Sequence, residues 1–255
     1  MKIGIFDSGL GGITVFREIL KQKINAEFYY LADNKNNPYG IKSKKEVIKY
    51  IEKNIKYLID TGCQIIVIAC NTATALSINY LRKKYPNIIF IGTEPAVKVA
   101  ADDRSKTKIL ITATTITLKE EKLSNLISNL HIKDEVDLLS LDKLVTFAEN
   151  NEDSNKVLEY LKKELSRFDL TKYSHIVLGC THFPLFKKEF QTIAPNAKVI
   201  DGSFGIAKNL KEKITKMNDK YNDISISLIL TKEDVNFVDN YKRILDHSID
   251  NVKVI

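Results

Sequence analysis

No stretch of this 255-residue sequence approaches the roughly 18 consecutive apolar residues of a membrane span. No membrane association is therefore expected. Cysteine is scarce: three residues, an odd number, fit reduced thiols better than a disulfide framework. There is no Cys-x-x-Cys pair or other short-spaced cluster to hold a metal. No lysine stands in a motif for a covalently held cofactor. Neither a metal nor a cofactor is expected. The dinucleotide fingerprint G-x-G-x-x-G is absent, and so is any low-complexity segment. The start, Met1-Lys2-Ile3-Gly4-Ile5-Phe6-Asp7, reaches a charge too early for a signal peptide. A cytoplasmic location is the expectation.

What is present is ordinary for a globular protein with a real core: 44% hydrophobic and 28% charged residues. The length allows one large domain or two modest ones. The net charge of +7 raises the question of nucleic acid. The lysines, however, are spread over helix faces with glutamates interleaved (Lys42, Lys44, Lys45, Lys49, Lys53, Lys56). They predict a solvated basic surface rather than a dedicated nucleic-acid site.

The informative feature is a repeat. Ile65-Ile66-Val67-Ile68-Ala69-Cys70-Asn71-Thr72 returns 110 residues later as His175-Ile176-Val177-Leu178-Gly179-Cys180-Thr181-His182. Each is a short, β-branched apolar run, then a small residue, a cysteine and two small polar groups. Each reads as a buried parallel strand that ends at its cysteine and feeds a helix. Ligands of open α/β sheets bind beyond the carboxyl ends of such strands. Cys63 has no polar motif around it and reads as structural.

Around the repeat, strands alternate with helical patterns, which indicates an α/β fold with mostly parallel sheets. Lys2–Phe6 is a strand running into Asp7-Ser8-Gly9-Leu10-Gly11-Gly12 before a helix from Ile13 to about Lys21, an arrangement suited to cradling an anion. After the strand Glu27–Leu31, the polar loop 33–40 carries the Pro38-Tyr39-Gly40 turn. Ser43 and Glu46 form a capping box for a helix with an apolar stripe of Val47, Ile48, Ile51, Ile55, Leu58 and Ile59. Asn71 or Thr72 is expected to cap the helix after the first cysteine strand. Ala101–Ser105 is read as a crossing between domains. Beyond the strand Lys108–Ile111, Thr112 to Thr115 takes the place of Asp7-Ser8-Gly9, and Thr112 and Thr115 are expected to bind a carboxylate. Later elements are a strand at Val136–Leu141, a helix at Ser154–Phe168, a strand at Lys198–Ile200, a helix at Phe204–Lys216 and strands at Ile224–Leu230 and Val252–Ile255. The expected division is 1–97 with 206–255 as one α/β domain and 98–205 as a second, pseudo-symmetric one, with the site in the cleft between them.

Two thiols at equivalent strand ends suit general acid–base work. Disulfide chemistry would leave the surrounding Asn, Thr, Asp and Ser without a task, and a Cys-His hydrolase would leave one cysteine idle. A strand-to-helix turn lowers a thiol's pKa, so one group is expected as thiolate and the other as thiol near neutrality. A base on one face of a carbon and an acid on the other invert that carbon.

Asp7-Ser8-Gly9-x-Gly11-Gly12, Pro38-Tyr39-Gly40, Ala69-Cys70-Asn71-Thr72-Ala73 and Gly179-Cys180-Thr181-His182-Phe183-Pro184-Leu185 together resemble the glutamate racemase family, over nearly the whole chain. The resemblance implies two α/β domains and cofactor-free interconversion of L- and D-glutamate for peptidoglycan. It implies Cys70 as the base toward D-glutamate and Cys180 toward L-glutamate, with Asp7 and His182 beside them. Substrate contacts implied are Asp7, Ser8, Pro38, Tyr39, Gly40, Asn71, Thr72, Thr181 and His182. A homodimer is expected. Two departures stand out. The family's Gly-Thr-x-x-Thr-x-x-Ser-x-x-Tyr, read from Ile111, keeps threonines but loses the Gly, Ser and Tyr. The Pro-Leu-Val-Glu segment, read as Lys143-Leu144-Val145-Thr146, lacks the glutamate near the motif histidine, leaving Glu149 one turn on as the available substitute. The rival readings are an aspartate racemase or related cofactor-free isomerase, and a non-catalytic protein touching DNA or a topoisomerase through its basic surface.

Overall fold

The computed structural model describes residues 1–103, 108–217 and 223–255. The strands are β1 (Lys2–Asp7), β2 (Glu27–Ala32), β3 (Ile65–Ile68), β4 (Ile89–Gly92), β5 (Lys108–Ala113), β6 (Val136–Ser140), β7 (Tyr173–Leu178), β8 (Lys198–Asp201), β9 (Ser225–Leu230) and β10 (Asn251–Val254). The helices are α1 (Ile13–Lys21), α2 (Lys44–Asp60), α3 (Asn71–Lys84), α4 (Val97–Asp102), α5 (Thr115–Lys119), α6 (Glu121–Asn129), α7 (Lys143–Glu149), α8 (Ser154–Leu165), α9 (Lys187–Ile193), α10 (Ser203–Met217) and α11 (Val235–Leu245). Among these none is long and apolar enough to cross a membrane.

Two sheets form, one in the order β10-β9-β2-β1-β3-β4 and one in the order β6-β5-β7-β8. Every neighbouring pair is parallel. The order β2-β1-β3-β4 in the first sheet is matched by β6-β5-β7-β8 in the second, so β3 and β7 occupy equivalent places. That is the pseudo-symmetry the cysteine repeat implies. β9 and β10 extend the first sheet beyond β2.

Parallel strands covered on both faces need apolar side chains on both, and Ile65, Ile66, Val67 and Ile68 are all fully buried. One face of the first sheet packs under α1, α10 and α11, through Phe16, Ile19, Leu210, Phe237 and Tyr241. The other packs under α2, whose Ser43–Glu46 capping box is present. Its buried stripe is Val47, Ile51, Ile55 and Leu58; Ile48 and Ile59 lie at its half-buried margin. α4 packs against the second sheet through Val97 and Ala100 beside Ile109 and Ile111. Arg104 and Ser105 of the expected crossing lie outside the described residues.

Boundaries differ from expectation in two informative places. The helix expected to reach Phe168 stops at Leu165, where Phe168 turns back against Tyr173 in an edge-to-face contact at 5.9 Å. β5 runs two residues further than its apolar pattern, through Thr112 and Ala113, because Thr112 is fully buried and its hydroxyl donates to the Val177 carbonyl of the neighbouring strand at 3.1 Å.

Candidate active site

Each cysteine sits where a central strand ends. Cys70 is itself the N-cap of α3: its sulfur accepts the Ala73 amide at 3.4 Å and its thiol points to Ser8 Oγ at 3.7 Å. The expected cap, Asn71 or Thr72, is therefore corrected to the cysteine, and both of those residues begin the helix. Cys180 follows β7 through Gly179, whose amide donates to the Thr112 carbonyl at 2.7 Å. Both cysteines are buried, at 5% and 7% exposure. They line one cavity with Ser8, Asn37, Tyr39, Gly40, Asn71, Thr72, Thr114, Val145, Thr181 and His182. That cavity is small, about 10 Å³, the room of a single water. An adjoining groove of about 720 Å³ shares Asn37 and Val145 with it and runs on along Glu149, Phe237 and Asn240.

In the loop after β1, read from the sequence as a place to cradle an anion, two amides are taken by the protein's own groups: Gly9 donates to Asp7 Oδ1 at 2.9 Å and Leu10 donates to Glu149 Oε1 at 2.7 Å. Asp7 Oδ2 accepts from Thr181 Oγ1 at 3.1 Å, and Thr14 Oγ1 reaches the Thr181 carbonyl at 3.0 Å. These contacts join the first half of the chain to the second around the two sulfurs.

Glu149 is the carboxylate that the sequence reading finds missing at Thr146. Its Oε1 lies 2.6 Å from His182 Nε2. The Gly11 amide nitrogen is 3.2 Å from the same Nε2. That nitrogen cannot both donate to Glu149 and accept from Gly11; the shorter contact, to a carboxylate, assigns it a proton. Nδ1 faces Cys180 Sγ at 3.8 Å. Burial alone would keep the imidazole neutral, but its contacts with Cys180 and Glu149 outweigh that and raise its pKa well above the usual histidine value. These contacts favour the protonated ring, with Nδ1 facing the sulfur.

Cys70 reverses the expectation of a lowered thiol. Burial, reinforced by the charge of Asp7, pushes its pKa far above the ordinary thiol range, against the Ala73 amide and the helix start. It is held as a thiol. Asp7, wholly buried, is pushed up to about 6 by desolvation, against the opposing pull of His182 and the Gly9 amide. It can change charge near neutral pH. Burial thus favours the thiol at one sulfur, while the other faces a ring whose neighbours favour its protonated form.

The threonine assignments need a shift of register. Thr112 spends its hydroxyl inside the sheet, and Thr115 bonds Asp142 through both its amide and its hydroxyl, at 3.0 and 2.5 Å. Thr114 is the one that lines the cavity; its hydroxyl joins those of Thr72 at 2.9 Å and Thr117 at 3.0 Å. Pro38 borders the larger groove. Asn37, Thr114 and Val145 are lining residues that sequence reasoning missed. Cys63 shares the α2-side core with Cys70 but does not line the cavity; burial pushes its pKa up to about 12.

The sequence profile of the Asp/Glu/Hydantoin racemase family matches residues 17–203. The chain is 46% identical over 226 residues to a glutamate racemase of Campylobacter curvus, covering 86% of this chain and 85% of that one. It is also 46% identical over 222 residues to glutamate racemase 2 of Bacillus subtilis, covering 86% and 83%. Among solved structures, the glutamate racemase isoform RacE1 of Bacillus anthracis superposes with a TM-score of 0.88 at 27% identity, over 99% of this chain and 96% of that one.

Proposed function

The chain belongs to the Asp/Glu/Hydantoin racemase family, among its glutamate racemases, and we propose that it inverts the α-carbon of glutamate by proton transfer between Cys70 and Cys180. The observation that carries this reading is the pair of buried cysteines at equivalent strand ends, lining one cavity from two sheets. Starting from L-glutamate, Cys180 takes the α-proton and the electron pair spreads into the α-carboxylate. The Cys70 thiol then gives its proton to the opposite face, yielding D-glutamate, a Cys180 thiol and a Cys70 thiolate. The reverse reaction runs the same steps backwards.

His182 sets charge beside Cys180, and Asp7 does so for Cys70. Ser8, Asn71, Thr72, Thr114 and Thr181 offer the hydroxyl and amide groups that a carboxylate and an ammonium need. A five-carbon amino acid exceeds the present volume of about 10 Å³, so binding has to part the walls of the cavity. On the strength of the family, we assign the product to peptidoglycan synthesis and the enzyme to the cytoplasm as a homodimer.

The test is optical. The circular dichroism of L-glutamate should decay to zero with purified protein, with or without EDTA, while that of L-aspartate persists. Faster decay with aspartate would transfer the reading to an aspartate racemase, and no decay with either would end it.

A further inference from the structure

One fully buried carboxylate takes no part in the proton transfer, and among the described residues no cation pairs with it. Asp33, at the tip of β2, is 0% exposed. Its Oδ2 accepts the Tyr39 hydroxyl at 2.6 Å, its Oδ1 accepts the Thr231 hydroxyl at 2.8 Å, and the Asn36 amide donates to both oxygens at 2.9 and 3.1 Å. Its own backbone N–H donates to the Asp7 carbonyl at 3.0 Å. Burying a carboxylate is costly unless donors replace its water, and here side chains from three places in the chain do so. The surrounding bonds fasten the same loop: Asn34 Oδ1 accepts the Thr231 and Lys232 amides, each at 3.1 Å, and Asn34 Nδ2 donates to the Lys232 carbonyl at 2.8 Å.

Tyr39 is one wall of the cavity, next to Gly40. Its ring is buried and stacks on Tyr50 at 6.4 Å. Its hydroxyl, kept protonated by burial and by the neighbouring Asp33, can serve Asp33 only as a donor. Gly40 in turn is wedged against the second half of the chain: a Cβ there would lie 2.7 Å from Asp142 Oδ1 and 3.2 Å from Thr114 Cβ. A shift of the Tyr39 ring therefore moves a backbone that closes the seam between the two sheets.

We propose that Asp33 is a positioning residue for glutamate binding: it fixes Tyr39, and through Tyr39 the Pro38-Tyr39-Gly40 wall, to the tips of β1 and β9. This rests on the racemase reading above. A wall that contacts the substrate alike in the ground and transition states governs KM rather than kcat. Asp33→Asn keeps the shape but leaves a single oxygen, so it cannot accept from Tyr39 and Thr231 together, and in either orientation its NH2 meets the Asn36 side chain, which already donates there.

The test is a double-mutant cycle on racemisation kinetics with Asp33→Asn, Tyr39→Phe and the pair, alongside wild type and with each variant's thermal melt. Asp33→Asn should raise KM for glutamate about tenfold or more, the scale of a lost hydrogen bond to a charged group, with a much smaller change in kcat. The double variant should be little worse than the worse single one. Additive effects, or an unchanged KM in a folded Asp33→Asn variant, would overturn the proposal. If Asp33→Asn does not fold, Thr231→Val in the same cycle decides: a KM rise that vanishes in the Tyr39→Phe background supports the proposal, and an unchanged KM overturns it. Inactive wild-type protein would instead sink the racemase reading itself, so the two failures are distinguishable.

Discussion

Cys70→Ala and Cys180→Ala are each expected to lower kcat/KM for glutamate by roughly 10²–10⁴-fold, the usual worth of a positioned proton-transfer group. Cys63→Ala should leave it nearly unchanged. The three cysteines are all buried, so burial does not separate them; their neighbours do. Cys70 stands beside Ser8 and Cys180 beside His182 on one cavity, whereas Cys63 packs among apolar residues of the α2 layer. Enantiomers have an equilibrium constant of one, so for each variant kcat/KM must fall equally in both directions. Only kcat and KM taken separately can differ between directions. Time courses from both enantiomers check this. Turnover like wild type in either alanine variant at the cavity would end the two-base account.

Gly11→Ala is expected to cost about 10²-fold in kcat without unfolding the protein, the scale of an ångström-sized misplacement in a site. A Cβ at Gly11 would lie 2.5 Å from His182 Nδ1 and 2.6 Å from Thr181 Oγ1. Something must move, and both candidates serve the site: Nδ1 faces Cys180, and Thr181 bonds Asp7. The matched control is Gly205→Ala, in the first turn of α10, where an added Cβ meets nothing within 4 Å. It should raise stability by about 0.4–1 kcal/mol, by restricting the unfolded chain, and leave activity alone. Equal kinetics for the two variants would show that the glycine-rich loop does not set the His182 position.

The sequence carried the two cysteines plainly because the strand–cysteine–helix pattern is local. Ile65–Cys70 and His175–Cys180 need no distant partner to be read, and neither does the Ser43–Glu46 cap. What it hid depends on register or on distance. Thr112, Thr114 and Thr115 differ only in how far β5 runs before the chain turns, and the buried Thr112 extends it beyond the apolar run. Glu149 was legible as the substitute for the glutamate missing at Thr146, but its second partner, the Leu10 amide, is 139 residues away and was not. The high pKa of Cys70 arises from burial and from Asp7. A helix-start argument from local sequence sees neither.

The central claim is that two different sulfurs handle the proton, one on each face of the α-carbon. A thiol carries a single proton, so the one removed from L-glutamate by Cys180 cannot be delivered by that same group to the other face. Racemisation of L-glutamate in D₂O, followed by proton NMR at low conversion, reads this directly. The D-glutamate first formed should carry deuterium at its α-carbon while the unreacted L-glutamate stays protiated. Substantial protium in the first product, or rapid deuteration of the substrate pool, would contradict the two-base mechanism and point to a single base reaching both faces.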